Sequence, residues 1–362
     1  MEAVASASRG SAWPVPLLVI TVDTEADDAW GDPERIALKN VAEIPRFQDL
    51  CERHGAMTTY LVAYECATRD ESLRILQPLV AQGRCEIGHH LHVWTTPPFA
   101  REHPRGVDAE WIAAYQYQLP EALFTAKADC LHAAIEDSFG VAPTAHRAGR
   151  WGVDQRTIDW LIRRGYAVDT SVTPITSWRR ARCNGVAGPS FARHPRRPYL
   201  WAGSDAHADG HKDIVEIPVS VHWRGYAAID LYCRSLDAGW AGAGLARRVL
   251  RRLVAPRMVR PNPRYPLHTF TDALEQAVRR RVPVVNLMLH SSELAYGCSP
   301  SSATRDDLAR VWERLALVLR RAGELGMKGT TLTSAALALR QPVAGSLATA
   351  APAAAHLTAR EA

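Results

Sequence analysis

The feature that most constrains this chain is a repeating alternation. A short apolar, β-branched run is followed by apolar residues at helical spacing, and the helix is closed by a glycine. The first run, Leu17-Leu18-Val19-Ile20-Thr21-Val22, is continuous rather than alternating, the pattern of a strand covered on both faces in a parallel sheet. Val41, Ile44, Phe47, Leu50 and Cys51 then fall at helical spacing up to Gly55, and Thr58 to Val62 reads as the next strand. A helix from about Ser72 to Ala81 stops at Gly83 before a strand from Cys85 to His90. A long helix from about Gln118 to Phe139 stops at Gly140 before Thr144 to Arg147. A helix on Ile158, Leu161 and Ile162 stops at Gly165 before Tyr166 to Asp169. Asp213 to Pro218 and Val284 to Leu289 read as further strands, with a helix near Thr271 to Arg280 between them. A last helix runs from about Arg305 to Ala322, with Thr304 and Asp307 placed to cap its start. About seven parallel strands separated by helices over roughly 300 residues argue for an irregular (β/α) barrel, because no glycine-rich phosphate loop follows the first strand.

The expected organisation is a flexible Ala/Ser-rich segment at 1–14, one barrel domain at 15–340 and a disordered Ala/Thr-rich tail at 341–362. Intervals near 173–211 and 220–266 are too long for ordinary loops and rich in Arg, Pro and Trp, so a lid, groove wall or partner surface is expected there. Of 362 residues 47% are hydrophobic, enough for a substantial core and inconsistent with a disordered chain. Seven cysteines are an odd number without a Cys-x-x-Cys pair, which argues against a disulfide framework or zinc ribbon and for a reducing compartment. The apolar run from Val15 to Val22 is short and runs into acidic residues. It is neither a secretion signal nor a membrane span, and a cytoplasmic location is expected. A net charge of +5 does not choose a partner, and scattered arginines without a recognition motif argue against nucleic acid. The basic segment from Arg247 to Arg264 reads either as a solvated helix face or as a peripheral contact with an anionic membrane.

Ionisable residues collect where the strands end: Asp23 and Glu25, His90 and His92, Arg147, and His290. In a parallel barrel these ends share one face, the face where barrel active sites lie. Side chains two apart on an extended segment point the same way, so His90 and His92 can hold one metal, and a carboxylate from Asp23 or Glu25 completes the set. Two imidazoles and one carboxylate suit a single divalent ion, Zn²⁺ first among the transition metals, with positions left for water. The bland alternatives are a hydrogen-bonded structural histidine, a helix-capping aspartate and a solvated arginine, and three histidines within four residues weigh against the first. Trp94, Trp151, Trp201 and Trp223 are either core residues or, near the site, faces on which a sugar ring can stack.

Thr21-Val22-Asp23-Thr24-Glu25, Glu86-Ile87-Gly88-His89-His90-Leu91-His92, His146-Arg147-Ala148-Gly149-Arg150-Trp151-Gly152, Asp169-Thr170-Ser171-Val172-Thr173-Pro174 and Leu287-Met288-Leu289-His290-Ser291-Ser292-Glu293-Leu294 resemble, in order, the motifs of the polysaccharide deacetylase family of NodB-like carbohydrate esterases, including its WalW-like branch. The resemblance implies a metal-dependent hydrolase that removes N-acetyl groups from a glycan. Two positions depart from the family pattern. Thr24 stands where the family has its metal-binding aspartate, which makes Glu25 the substitute ligand. Trp94 stands at the later histidine position, which makes His92 the replacement. By the family's mechanism, Glu25, His90 and His92 bind the metal, Asp23 is the base, His290 the acid, and Arg147 positions Asp23. The implied substrate is a carbohydrate, met inside the cell as a nucleotide- or lipid-linked precursor. Two rivals use the same frame: an O-deacetylase or small-molecule amidohydrolase, and an inactive glycan-binding barrel without metal.

Overall fold

The computed structural model describes residues 15–204, 213–238, 243–341 and 349–350. The expected segments 1–14 and 341–362 therefore lie outside the described residues, apart from Gln341, Thr349 and Ala350. The strands are β1 (Leu17–Thr24), β2 (Thr58–Val62), β3 (Cys85–Leu91), β4 (Ala145–Ala148), β5 (Val168–Asp169), β6 (Tyr199–Ala202), β7 (Asp213–Glu216), β8 (Val221–His222), β9 (Arg257–Met258), β10 (Val284–His290), β11 (Lys328–Thr330) and β12 (Thr349–Ala350). The main sheet runs β10-β1-β2-β3-β4-β5-β7, all parallel, and these are the seven segments read as strands from the sequence. β6 extends the sheet antiparallel to β7, while β11 pairs with the first residues of β1. The gap between β7 and β10 is bridged irregularly. Ser220 N–H donates to the Asn286 carbonyl at 3.2 Å, and Met288 N–H donates to the Val259 carbonyl at 3.1 Å. The result is a curled, irregular (β/α) barrel.

Helices α1 (Ile44–Arg53), α2 (Tyr64–Thr68), α3 (Asp70–Ala81), α4 (Glu121–Phe139), α5 (Gln155–Arg163), α6 (Ile229–Leu236), α7 (Ala243–Val254), α8 (His268–Arg279), α9 (Arg305–Glu324) and α10 (Leu332–Arg340) complete the chain. α4 starts at Glu121 rather than Gln118 because Pro120 occupies its N-cap, and it ends on Gly140 at φ 68°. The start of α9 carries the expected cap, with Asp307 N–H donating to Thr304 Oγ1 at 3.0 Å. The interval 220–266 holds two helices, α6 and α7, between the paired strands β8 and β9. No described helix is long and apolar enough to cross a membrane.

Strand alternation divides the protein into two apolar layers. Leu18, Ile20 and Val22 of β1 and Val285, Leu287 and Leu289 of β10 point outward into the core beneath the helices. Val19, Leu61, Ala145, Val168, Val215 and Val284 form a separate inner cluster with Leu332, Ala335, Ala336 and Leu339 of α10. α10 therefore packs against the inward-facing residues of the barrel. Glu86, at the start of β3, holds the helix there by accepting from Leu332 N–H at 2.9 Å. Further along the same strands the inward positions become polar: Thr21 donates to Asn286 Oδ1, and Asn286 Nδ2 donates to Thr170 Oγ1. Gly88 lies between Glu86 and His90 on β3, where a Cβ would stand 2.6 Å from Leu61 Cδ2 and 2.8 Å from the Ala145 carbonyl. Gly88→Ala is accordingly expected to cost about 1–3 kcal/mol of stability, read as a lower denaturant midpoint with an unchanged slope.

Candidate metal centre

The polar layer leads into a cleft of about 220 Å³ at the strand ends, and five of the six residues singled out in the sequence line it: Asp23, Glu25, His90, His92 and His290. The sixth, Arg147, is fully buried behind them. Asp23 and Glu25 both face inward because they are two apart, whereas Thr24 between them donates to the Val22 carbonyl and does not line the cleft. Glu25 Oε2 lies 3.5 Å from His90 Nε2 and 3.2 Å from His92 Nε2. His90 Nδ1 is 3.0 Å from the Arg147 carbonyl, a contact that orients the ring with Nε2 facing Glu25. His92 stacks on Trp94, with centroids 4.3 Å apart, and Trp94 Nε1 donates to the Pro33 carbonyl. The indole thus stands behind the imidazole.

This donor set fits a single metal ion. One donor atom from each of Glu25, His90 and His92 lies within 4.8 Å of the others, and Glu25 Oε1 is buried with no hydrogen-bond partner. Burial alone would raise the Glu25 carboxyl pKa, but His290 and the hydrogen bonds from His90 and His92 outweigh it and hold Glu25 far below its usual range. Burial lowers His90, and Asp23 and Glu25 more than reverse this, so the ring sits above its ordinary value. Both shifts describe a place that favours positive charge between one carboxylate and two imidazoles.

Arg147 ties the remaining groups together. It donates to Asp23 Oδ1, to Thr21 Oγ1 at 2.7 Å and to the Thr170 carbonyl at 3.0 Å. The other carboxylate oxygen of Asp23 lies 3.5 Å from His290 Nε2. Two residues without a role in the sequence reading complete this side. Glu293 Oε2 accepts from His290 N–H at 3.0 Å and lies 3.7 Å from His290 Nδ1, and Arg260 donates to Glu293 Oε1 at 2.7 and 3.1 Å. Glu293 was visible as the residue three after His290. Arg260 was not, since only the fold brings its segment against β10.

The walls are aromatic. Trp30, Trp94, Tyr115, Trp151 and Trp178 line the cleft, whereas Trp201 and Trp223 are buried elsewhere. The loop after β3 and the stretch near 173–190 are cross-linked: Tyr115 Oη donates to the Ala181 carbonyl, Tyr117 Oη to Ala187 at 2.7 Å, and Gln118 Nε2 to Cys183 at 3.1 Å. The loop is anchored from α4 by the fully buried Lys127, which pairs with Asp108 and donates to the Thr96 and Pro98 carbonyls.

The third histidine of the cluster has a different fate. His89 points outward, with Nε2 3.2 Å from the Ala128 carbonyl and its ring near Trp160 and His146. Next to it His146 Nδ1 pairs with Asp169 Oδ1 at 2.6 Å, and Asp169 stands in register beside Glu216 of β7. Burial, reinforced by the charge of Asp169, pushes the Glu216 carboxyl well above its ordinary value and so favours its protonated form. The linkage follows from that direction. The folded state retains a proton that the unfolded state releases above its ordinary carboxyl pKa. This stabilisation is complete below that value and is lost as pH rises through the raised folded value. Glu216→Gln keeps a donor but cannot titrate. Thermal melts across pH should show its melting temperature falling less than that of the wild type on the alkaline side.

No family model matches the chain, and no curated protein matches it by sequence. Solved structures do match. A candidate polysaccharide deacetylase from Mycobacterium smegmatis superposes with a TM-score of 0.53 at 17% identity, covering 94% of this chain and 97% of that one. A candidate glycoside hydrolase/deacetylase from Parabacteroides distasonis superposes at 0.54 and 12% identity, covering 89% of this chain and 70% of that one. The chain shares their fold.

Proposed function

We propose that this protein is a metal-dependent deacetylase that hydrolyses N-acetyl groups on a glycan or a nucleotide- or lipid-linked glycan precursor. The observation that carries the reading is the convergence of a Glu25-His90-His92 donor set with an arginine-held Asp23 and with His290 in one aromatic cleft. Glu25, His90 and His92 would hold the metal, with zinc the first expectation for two imidazoles and one carboxylate. When bound there, such an ion lowers the pKa of water and polarises an acyl carbonyl. The chain's own residues do the rest. Asp23, held in place by Arg147, takes the proton of the attacking water as the water oxygen bonds to the carbonyl carbon. His290 Nε2 delivers a proton to the nitrogen as the C–N bond breaks, giving acetate and a free amine. Glu293, 3.7 Å from Nδ1, orients the imidazole, and Arg260 holds Glu293 in place. Burial alone would raise the Glu293 carboxyl, but Arg260 and His290 pull it far below its usual range.

The test is acetate release by the full chain from a panel of N-acetylated oligosaccharides, sugar nucleotides, sugar lipids and O-acetylated controls, with metal content measured on the same preparation. Release from N-acetyl substrates by metal-loaded protein supports the reading. Release only from O-acetyl substrates replaces it with an esterase, and binding without release replaces it with a glycan-binding barrel. Trp30, 46% exposed and edge-on to His290 at 4.4 Å, is placed to stack on a sugar bound beside the acid. Trp30→Ala is expected to raise KM roughly 3–10-fold with a smaller change in kcat, as read from initial rates on the best substrate.

A further inference from the structure

We propose that α7 is a docking element for the surface of an anionic lipid bilayer, an inference independent of the chemistry assigned to the cleft. The inner side of α7 is ordinary: Leu250 and Val254 pack in a small core with Trp223, Ile229, Tyr232 and Ile175. Its outer side is not. Leu245, Val249 and Leu253, four residues apart and therefore in one row, are 67%, 51% and 56% exposed, and Leu231 on the neighbouring α6 is 59% exposed. Four arginines and no acidic residue occur in the helix. Arg247 is turned inward to donate to the Ser235 carbonyl at 3.0 Å, while Arg248, Arg251 and Arg252 are exposed. None of these three has an ion-pair partner among the described residues.

A helix that needed only to meet water would carry polar side chains where Leu245, Val249 and Leu253 stand. The flanking charge then selects the occupant. A nucleic acid would engage the arginines and leave the apolar row in water. A second copy packed symmetrically on this row would set two arginine clusters against each other without an acid between them. An anionic bilayer offers phosphate groups to Arg248, Arg251 and Arg252 and an apolar boundary to the row, and it alone satisfies both sets.

The experiment is sedimentation of the full chain with vesicles of equal parts phosphatidylglycerol and phosphatidylcholine, against phosphatidylcholine alone. Binding is expected only to the anionic vesicles and should weaken as salt is raised. R248Q/R251Q/R252Q should weaken it roughly fivefold per arginine, or ~100-fold together, and L245S/V249S/L253S by about tenfold or more. Both variants change exposed positions, and each is used only after its melting curve matches that of the wild type. The proposal is overturned if the wild type ignores anionic vesicles. It is also overturned if the serine variant binds as tightly as the wild type, which would leave a purely electrostatic patch. A wild-type dimer that the serine variant dissolves, without vesicle binding, would assign the row to a second copy instead.

Discussion

Asp23→Asn is expected to lower kcat for acetate release by ~10²–10⁴ while the purified protein keeps its metal. The asparagine retains an oxygen for Arg147 but cannot accept a proton. Its two neighbours, Arg147 at one oxygen and His290 3.5 Å from the other, remain in place. Elemental analysis, initial rates and a melting curve on the same sample separate the possible failures. Loss of rate with metal and fold intact is the predicted result. Loss of metal equal to that of Glu25→Gln would exchange the roles given to Asp23 and Glu25. Loss of the fold would show only that Arg147 needs a charged partner, and the assignment would then rest on Asp23→Glu, which restores the charge but misplaces the oxygen.

The second large effect is on the metal itself. His90→Ala/His92→Ala removes two of the three donors, leaving Glu25 alone, and should reduce metal from about one equivalent per chain to background, abolishing acetate release. A readout besides activity comes from stability. Metal that binds the folded chain alone raises its stability by about 4 kcal/mol at a thousand times its Kd. The wild type should therefore melt at a clearly higher temperature with zinc than with a chelator, and the double variant should not. Equal zinc dependence in the two proteins would sink the donor set.

Much of this arrangement was legible because it follows from strand alternation. The position of Thr24 between Asp23 and Glu25, and of Leu91 between His90 and His92, orients all four ionisable groups once the strands are known. The continuous run at β1 announced a strand covered on both faces, and the structure covers it on both. What stayed hidden depends on contacts between distant segments. α10 has the Ala-rich composition of the tail that follows it, and only its contact with the inward faces of six strands explains its Leu and Ala spacing. The partner of Glu293 lies in a segment that returns from α7, so no local spacing links Arg260 to His290. The buried pair Lys127–Asp108 was equally silent, since a lysine inside a helix reads as a solvated charge until a loop closes over it.

The cross-linked wall of the cleft has a consequence for how such a protein can change over generations. Tyr115, Tyr117 and Gln118 grip the opposite stretch only through the carbonyls of Ala181, Ala187 and Cys183. Gly188 is fixed by crowding, since a Cβ there would stand 2.6 Å from Tyr115 Oη, but any residue type supplies the carbonyls of 181 and 187, so the tether places no demand on side-chain identity at those two positions. Substitutions there can accumulate and re-tailor what the cleft admits while the wall stays pinned and the ionisable groups at the strand ends keep their places. That part of the wall can drift without disturbing the ionisable groups, whereas Trp30 and Trp94, packed on His290 and His92, cannot.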